Sequence, residues 1–184
     1  NLPIGFIAHN FENGENGWEH LALGEDWVDE WHLSSYRNFT EGGMFSMKCG
    51  DEETLPYANF MYAALVMPEF ELGTATIIKF HHWMDVGGNS NGLTWDGGQI
   101  EISVNGGDWE LVTPEGGYPC TTMNIPNSPF SQGQPVFAGD IDWEEVTLDL
   151  SQYSGTAQIR FVLGSCGLVT GEGWYIDDVF YTNP

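Results

Sequence analysis

The sequence predicts an all-β protein, a two-sheet antiparallel β-sandwich, and three observations predict it. Apolar residues recur at every second position in several runs, and turn residues break those runs at short intervals. The 3.6-residue periodicity of an amphipathic helix is nearly absent. Alternation by two puts successive side chains on opposite faces of a strand. Each run therefore buries one face and offers the other to solvent or to a second layer.

Ten strands follow in chain order: 4–11, 30–35, 44–49, 60–67, 75–85, 98–105, 108–113, 143–150, 156–163 and 173–181. The clearest alternations are Ile78, Phe80, His82 and Met84; Ile100, Ile102 and Val104; and Ile159, Phe161 and Leu163. Asn13-Gly14 and Asn16-Gly17 supply the positive φ of tight turns after the first strand. Asn105-Gly106-Gly107 predicts a hairpin between 98–105 and 108–113, and Ser154-Gly155 separates two later strands. Two long connections, 85–98 (rich in Gly and Asn) and 114–140 (rich in Pro), are read as loops of functional length.

Length and composition suit one domain over residues 1–184. With 184 residues, 41% of them hydrophobic, the chain buries roughly 70% of its unfolded surface. It carries 4 Lys+Arg against 27 Asp+Glu, a net charge of −23. Such a surface repels nucleic acid and anionic lipid, so neither is expected as a partner, and it attracts cations. No stretch reaches the roughly 18 apolar residues of a membrane helix, so no membrane insertion is expected. Of Cys49, Cys120 and Cys166, no two form a Cys-x-x-Cys pair; either one Cys120–Cys166 disulfide or three free thiols fits. The chain opens on Asn1 and is read as a piece excised from a larger secreted or cell-surface protein.

Catalytic patterns are missing. There is no His-Glu-x-x-His and no Gly-x-Ser-x-Gly. His81 and His82 are adjacent on a strand and face opposite ways, so they do not share a metal. The acidic groups Asp140, Asp142, Glu144, Glu145 and Glu25, Asp26, Asp29, Glu30 lack the Glu-x-Asp-x-x-Glu spacing of sandwich glucanases and are read as solvated surface. No enzyme activity is expected.

The segment Gly173-Trp174-Tyr175-Ile176-Asp177-Asp178-Val179 breaks its own alternation, because Ile176 and Val179 fall on opposite faces. A β-bulge at the two aspartates repairs the pattern. One carboxylate then points into a partly buried place, where several hydrogen bonds or a cation must compensate its charge. With so few Lys and Arg, a hard cation with oxygen ligands, such as calcium, is the natural candidate.

Phe11-Glu12-Asn13-Gly14 with Gly17-Trp18, Trp31-His32-Leu33, Leu65-Val66-Met67-Pro68 and Phe80-His81-His82-Trp83 occur in order along the chain. They are followed by Asp96-Gly97-Gly98-Gln99-Ile100-Glu101-Ile102-Ser103-Val104-Asn105-Gly106-Gly107, Ile159-Arg160-Phe161 and Trp174-Tyr175-Ile176-Asp177-Asp178-Val179. This ordered set resembles the sandwich domain that follows the catalytic part of immune inhibitor A metallopeptidases. Its wider relatives are MAM domains, cleaved-adhesin domains and jelly-roll carbohydrate-binding modules. The resemblance implies jelly-roll topology and a structural calcium ion bridging the first and last strands. The implied ligands are Glu12 and Asp178, with Asp177 beside them and Asp51 as a third position. Asp85, Asn89, Asn91 and Asp96 form a second oxygen-rich stretch, a candidate site for another calcium ion, with a polar loop as the alternative. The chain departs from the MAM pattern in lacking its paired cysteines.

Trp18, Trp31, Trp109, Trp143 and Trp174 fall at framework positions and are expected in the core. Trp27, Trp95 and Tyr118 lie in predicted loops, where aromatic faces suit sugar rings; they are the expected ligand-binding residues. The expected function is a non-catalytic extracellular module, stabilised by calcium and binding polysaccharide or another glycan, beside a neighbouring catalytic domain. The alternative is a protein-interacting or spacer domain attached to a secreted metallopeptidase or adhesin.

Overall fold

A computed structural model describes residues 6–53, 55–88 and 90–182. Among them, fifteen strands form: β1 (Phe6–His9), β2 (Glu19–Ala22), β3 (Trp31–Ser34), β4 (Ser46–Cys49), β5 (Tyr62–Val66), β6 (Phe70–Leu72), β7 (Ile77–Val86), β8 (Leu93–Thr94), β9 (Gly97–Val104), β10 (Glu110–Leu111), β11 (Cys120–Thr122), β12 (Pro135–Val136), β13 (Gly139–Asp149), β14 (Gly155–Gly164) and β15 (Gly173–Thr182). The first sheet runs β13-β7-β15-β4-β3, with β1 also paired to β15. The second runs β10-β9-β14-β5-β2, with β6 also paired to β14. Successive strands pass between these two sheets at β1–β2, β2–β3, β4–β5, β6–β7, β13–β14 and β14–β15. The result is a jelly-roll sandwich of two antiparallel sheets.

Alternation places the core where the sequence puts it. Ile78, Phe80, His82 and Met84 on β7 are fully buried, as are Ile100 on β9 and Ile159, Phe161 and Leu163 on β14. Trp18, Trp31 and Trp174 belong to the same core. His82 is a core residue. The Trp174 indole N–H donates to its Nδ1 at 3.0 Å, which puts the ring proton on Nε2, 3.2 Å from Glu144 Oε1. His81, one residue earlier, faces outward and stacks under Phe39.

Several expectations change. Trp143 and Trp109 are not in the core. The register of β13 against β7 slips between Ile141 and Glu144, and this bulge turns Trp143 onto the outer face, beside Phe39. Trp109 lies on the outer face of the second sheet, under the Arg160 guanidinium. The expected strand 108–113 shortens to β10. The expected loops hold a third small sheet, β12-β11-β8, in which β11 and β8 are parallel. The three cysteines are separate, buried thiols, so Cys120 and Cys166 form no disulfide.

Candidate functional site

The bulge expected at the end of the chain is present. β15 is in register with β7 up to Asp177↔His81 and resumes only at Phe180↔Lys79. Asp178 occupies the slip at φ +45°, a left-handed conformation that Asp tolerates better than most residues. The two carboxylates leave in different directions. Asp177 is fully buried and accepts the backbone N–H groups of Phe39 (2.7 Å), Thr40 (3.2 Å) and Asp178 (2.7 Å). Burial pushes its pKa up to about 6 against the pull of those three donors. Asp178 accepts the Thr40 hydroxyl at 2.7 Å.

Glu12 reaches the same loop from the other end of the chain. It follows β1, which pairs with β15. It accepts the N–H groups of Met44 and Phe45 at 2.9 and 2.8 Å. A side chain on Gly43 would come within 2.5 Å of Glu12 Oε1 and 2.9 Å of Asn38 Nδ2, so glycine is needed for this close approach. Asn38 in turn donates to the Thr40 carbonyl at 2.7 Å. Residues 38–45 thus meet the carboxylates of Glu12 and Asp178, with the Asn38 amide nitrogen turned onto the Thr40 carbonyl. Arg37 anchors the loop's other side. Its guanidinium lies 3.7 Å above the Trp83 ring and makes two 2.7 Å bonds to Glu172, which these bonds hold below the usual carboxylate range.

The four expected metal ligands do not form one cluster. Asp51 follows β4 whereas Glu12 touches the residues preceding it, a separation of roughly 15 Å along the strand. Asp51 caps the Glu53 N–H and lines a shallow pocket with Asp29, Glu30 and Glu52. Among the described residues, no group of three or more His, Cys, Asp and Glu is placed to hold a metal ion. The second stretch is also dispersed. Asp85 accepts the Glu172 N–H, and Asn91 sits in a tight turn at φ +55°. Asp96 is fully buried, accepts the Cys166 N–H and the Tyr57 hydroxyl, and has its pKa raised by burial. Asn89 lies outside the described residues.

Trp27, Trp95 and Tyr118 have three different settings. Tyr118 packs on Phe137, donates to the Val112 carbonyl and accepts the Ile100 N–H. Trp95 donates to the Val169 carbonyl and lies flush against Gly88. Trp27 stands on the outer face of the second sheet, edge-on to Tyr62 with ring centres 5.8 Å apart. Tyr62 meets Phe130 in the same way on its other side.

That outer face is ordered by strand register. Glu101, Arg160 and Val66 lie in one row across β9, β14 and β5; Gln99, Val162 and Ala64 lie in the next; Tyr62 lies in a third. Ala64 and Val162 are fully buried small residues between taller neighbours. Arg160 pairs with Glu101 and lies 4.4 Å over Trp109. Ala64, Val162 and Phe130 are covered, so the partly exposed groups of this face are Trp27 and Tyr62 at one end and Trp109, Arg160 and Glu101 at the other. The loop residues alone do not point to it. The unbroken apolar run Tyr62-Ala63-Ala64-Leu65-Val66 does, because a strand apolar on both faces is covered on both.

A scan against models of protein families found no match, and a search of curated proteins found none. Solved structures share the fold. The chain is similar to the K3 cleaved adhesin domain of Lys-gingipain from Porphyromonas gingivalis, with a TM-score of 0.56 and 19% identity over 97% of this chain and 98% of that one. It is similar to a xylan-binding domain of carbohydrate-binding module family 22, with a TM-score of 0.53 and 12% identity over 98% and 96% of the two chains. It is also similar to the mannan-recognising module TmCBM27, with a TM-score of 0.50 and 13% identity over 97% and 99%. At these identities the likeness establishes the fold: a jelly-roll sandwich shared with adhesin domains and carbohydrate-binding modules.

Proposed function

We propose that this chain is a non-catalytic extracellular module that binds a polysaccharide, braced by a calcium ion, and akin to the domain that accompanies immune inhibitor A-type metallopeptidases. One observation carries the carbohydrate reading. The outer face of the second sheet presents the partly exposed rings of Trp27 and Tyr62, with the Glu101–Arg160 pair farther along it. Flat rings match the apolar faces of sugar rings, and fixed polar groups beside them bond hydroxyls. The same fold serves xylan binding and mannan recognition in the two modules compared above.

Calcium fits the corner by donor chemistry. The Glu12 and Asp178 carboxylates would hold it with the Thr40 carbonyl and bound water, oxygen donors of the kind a hard cation takes. Bound there, it would neutralise two carboxylates and tie the first strand to the last.

Calorimetric titration against xylan, mannan and a panel of plant, microbial and host glycans tests the carbohydrate reading. Binding is expected to at least one, with Trp27→Ala and Tyr62→Ala each weakening it about tenfold or more. Absence of binding across the panel rejects it. A second reading, a protein-interacting domain, is favoured by the exposed Phe60, Leu168 and Val169 on neighbouring loops at one end of the sandwich.

A further inference from the structure

The bulge in β13 does more than move a tryptophan out of the core. Ile141 is opposite Met84 and Glu144 is opposite His82, so Asp142 and Trp143 together face the single residue Trp83. β13 is also the edge of its sheet, paired there only with β7. Bulges at sheet edges re-aim side chains, and here the extra residue opens a groove of about 560 Å³. Pro119 and Ile141 form part of its lining, Trp143 walls it, and Asp140, Asp142 and Glu144 stand along it. Its size is within the range of small-ligand sites.

The Trp143 wall is supported from behind. Its ring lies 5.8 Å from that of Phe39, and Phe39 is stacked on His81 at 3.6 Å. The Phe39 N–H is held by Asp177, so this aromatic support is fixed to the bulge in β15. The carboxylates supply acceptors. Asp142 Oδ1 takes the Trp143 N–H at 2.8 Å and Glu144 Oε1 takes the His82 proton at 3.2 Å, but each carboxylate has about four lone-pair sites. An indole face beside three carboxylates offers stacking and acceptors. A ligand with an apolar face and several hydroxyl donors matches that set. Uronic acids and sulfated sugars do not, because three like charges repel them.

We infer that the β13 edge groove is a second carbohydrate subsite, taking a neutral sugar residue that stacks on Trp143 and donates hydroxyls to Asp140, Asp142 and Glu144. It rests on the carbohydrate reading above, but lies on the other sheet from the Trp27–Tyr62 face. Two subsites on one module raise avidity for a polymer while leaving each intrinsic affinity unchanged.

The test uses calorimetry and polymer pull-down on the chain, with a neutral polysaccharide that it binds and a short oligosaccharide of the same sugar. Two oligosaccharide sites are expected, falling to one in Trp143→Ala and to one in Tyr62→Ala. Apparent affinity for the polymer is expected to drop tenfold or more in each. Because Trp143 packs on Phe39, Asp140→Asn with Asp142→Asn serves as an independent variant that leaves the rings in place; it should weaken the edge site alone. A single site in the wild type, with Trp143→Ala and the paired Asn variant unchanged, overturns the edge subsite and leaves the carbohydrate reading standing. No glycan binding at all overturns both. Edge binding confined to amine-bearing polymers and abolished by salt overturns the neutral-sugar assignment.

Discussion

Asp177→Ala is expected to destabilise the chain by roughly 3–5 kcal/mol, because it strips the partner from three partly buried backbone donors at once and empties a fully buried position. The N–H groups of Phe39, Thr40 and Asp178 all converge on this carboxylate. Each of these partly buried donors costs about 1 kcal/mol when left unpaired, the low end of the range for buried groups, and alanine leaves a cavity as well. Total stability of a domain is only about 5–15 kcal/mol, so the variant sits near the folding threshold. Asp177→Asn retains one acceptor oxygen but turns an amide N–H₂ toward the remaining donors, for an intermediate loss of about 1–3 kcal/mol. Urea denaturation of the three proteins at pH 7 measures this; a loss under 1 kcal/mol for alanine would mean that residues 38–45 hold their shape without it. The charge itself works against the fold. Burial raises the folded pKa to about 6, above the ordinary 3.8. The folded state therefore binds more protons than the unfolded state between about pH 4 and 6, and this group's contribution declines as pH rises through that window. Asp177→Asn should remove that part of the pH dependence.

The broken alternation of Ile176-Asp177-Asp178-Val179 announced a bulge and a buried carboxylate in need of compensation, and both are present, but at Asp177 backbone donors stand where a cation was the favoured candidate. The compensation comes from backbone donors of a loop more than 130 residues earlier, which no local pattern encodes. The long core strands were legible because each buries a strict period-two set, as Ile78, Phe80, His82 and Met84 do. β2 was not, since Glu19-His20-Leu21-Ala22 is a mostly exposed edge strand with no buried set to alternate. The β8, β11 and β12 pieces are two or three residues long and exist through long-range pairing. Trp109 and Trp143 read as core because they fall at framework positions of the family resemblance; a hairpin position and a one-residue slip put them outside. Of the loop aromatics, Trp27 stands beside Tyr62, whereas Tyr118 uses its hydroxyl within the fold. Asp51 shows the limit of sequence proximity: it is near the corner along the chain and separated from it by a whole strand.

Chelation is expected to lower the melting temperature by roughly 5–10 °C relative to the chain with calcium at about one hundred times its dissociation constant. Mass action at that concentration contributes about 2.7 kcal/mol, and a chain of this size shifts by about 2–4 °C per kcal/mol. The proposed ion would act where the fold most needs it. Glu12 and Asp178 bring two negative charges to one loop of a chain whose net charge is −23, with no Lys or Arg among their hydrogen-bond partners. Both also accept protein donors, so Glu12→Ala and Asp178→Ala lose stability even without metal. The informative quantity is therefore the difference between melting with calcium and with chelator, measured in each variant. In Glu12→Gln and Asp178→Asn, which keep an acceptor oxygen but lose the charge, that difference should shrink to near zero while the metal-free melting temperature rises or holds, because removing like charge from the corner relieves repulsion. A wild-type melting temperature indifferent to chelator rejects the calcium brace. A calcium response that persists in both variants moves the ion to another part of the molecule. The first outcome would leave the corner as a purely hydrogen-bonded closure, in which the β1–β15 pairing, Gly43 and the donors of residues 39–45 join the two ends of the jelly roll.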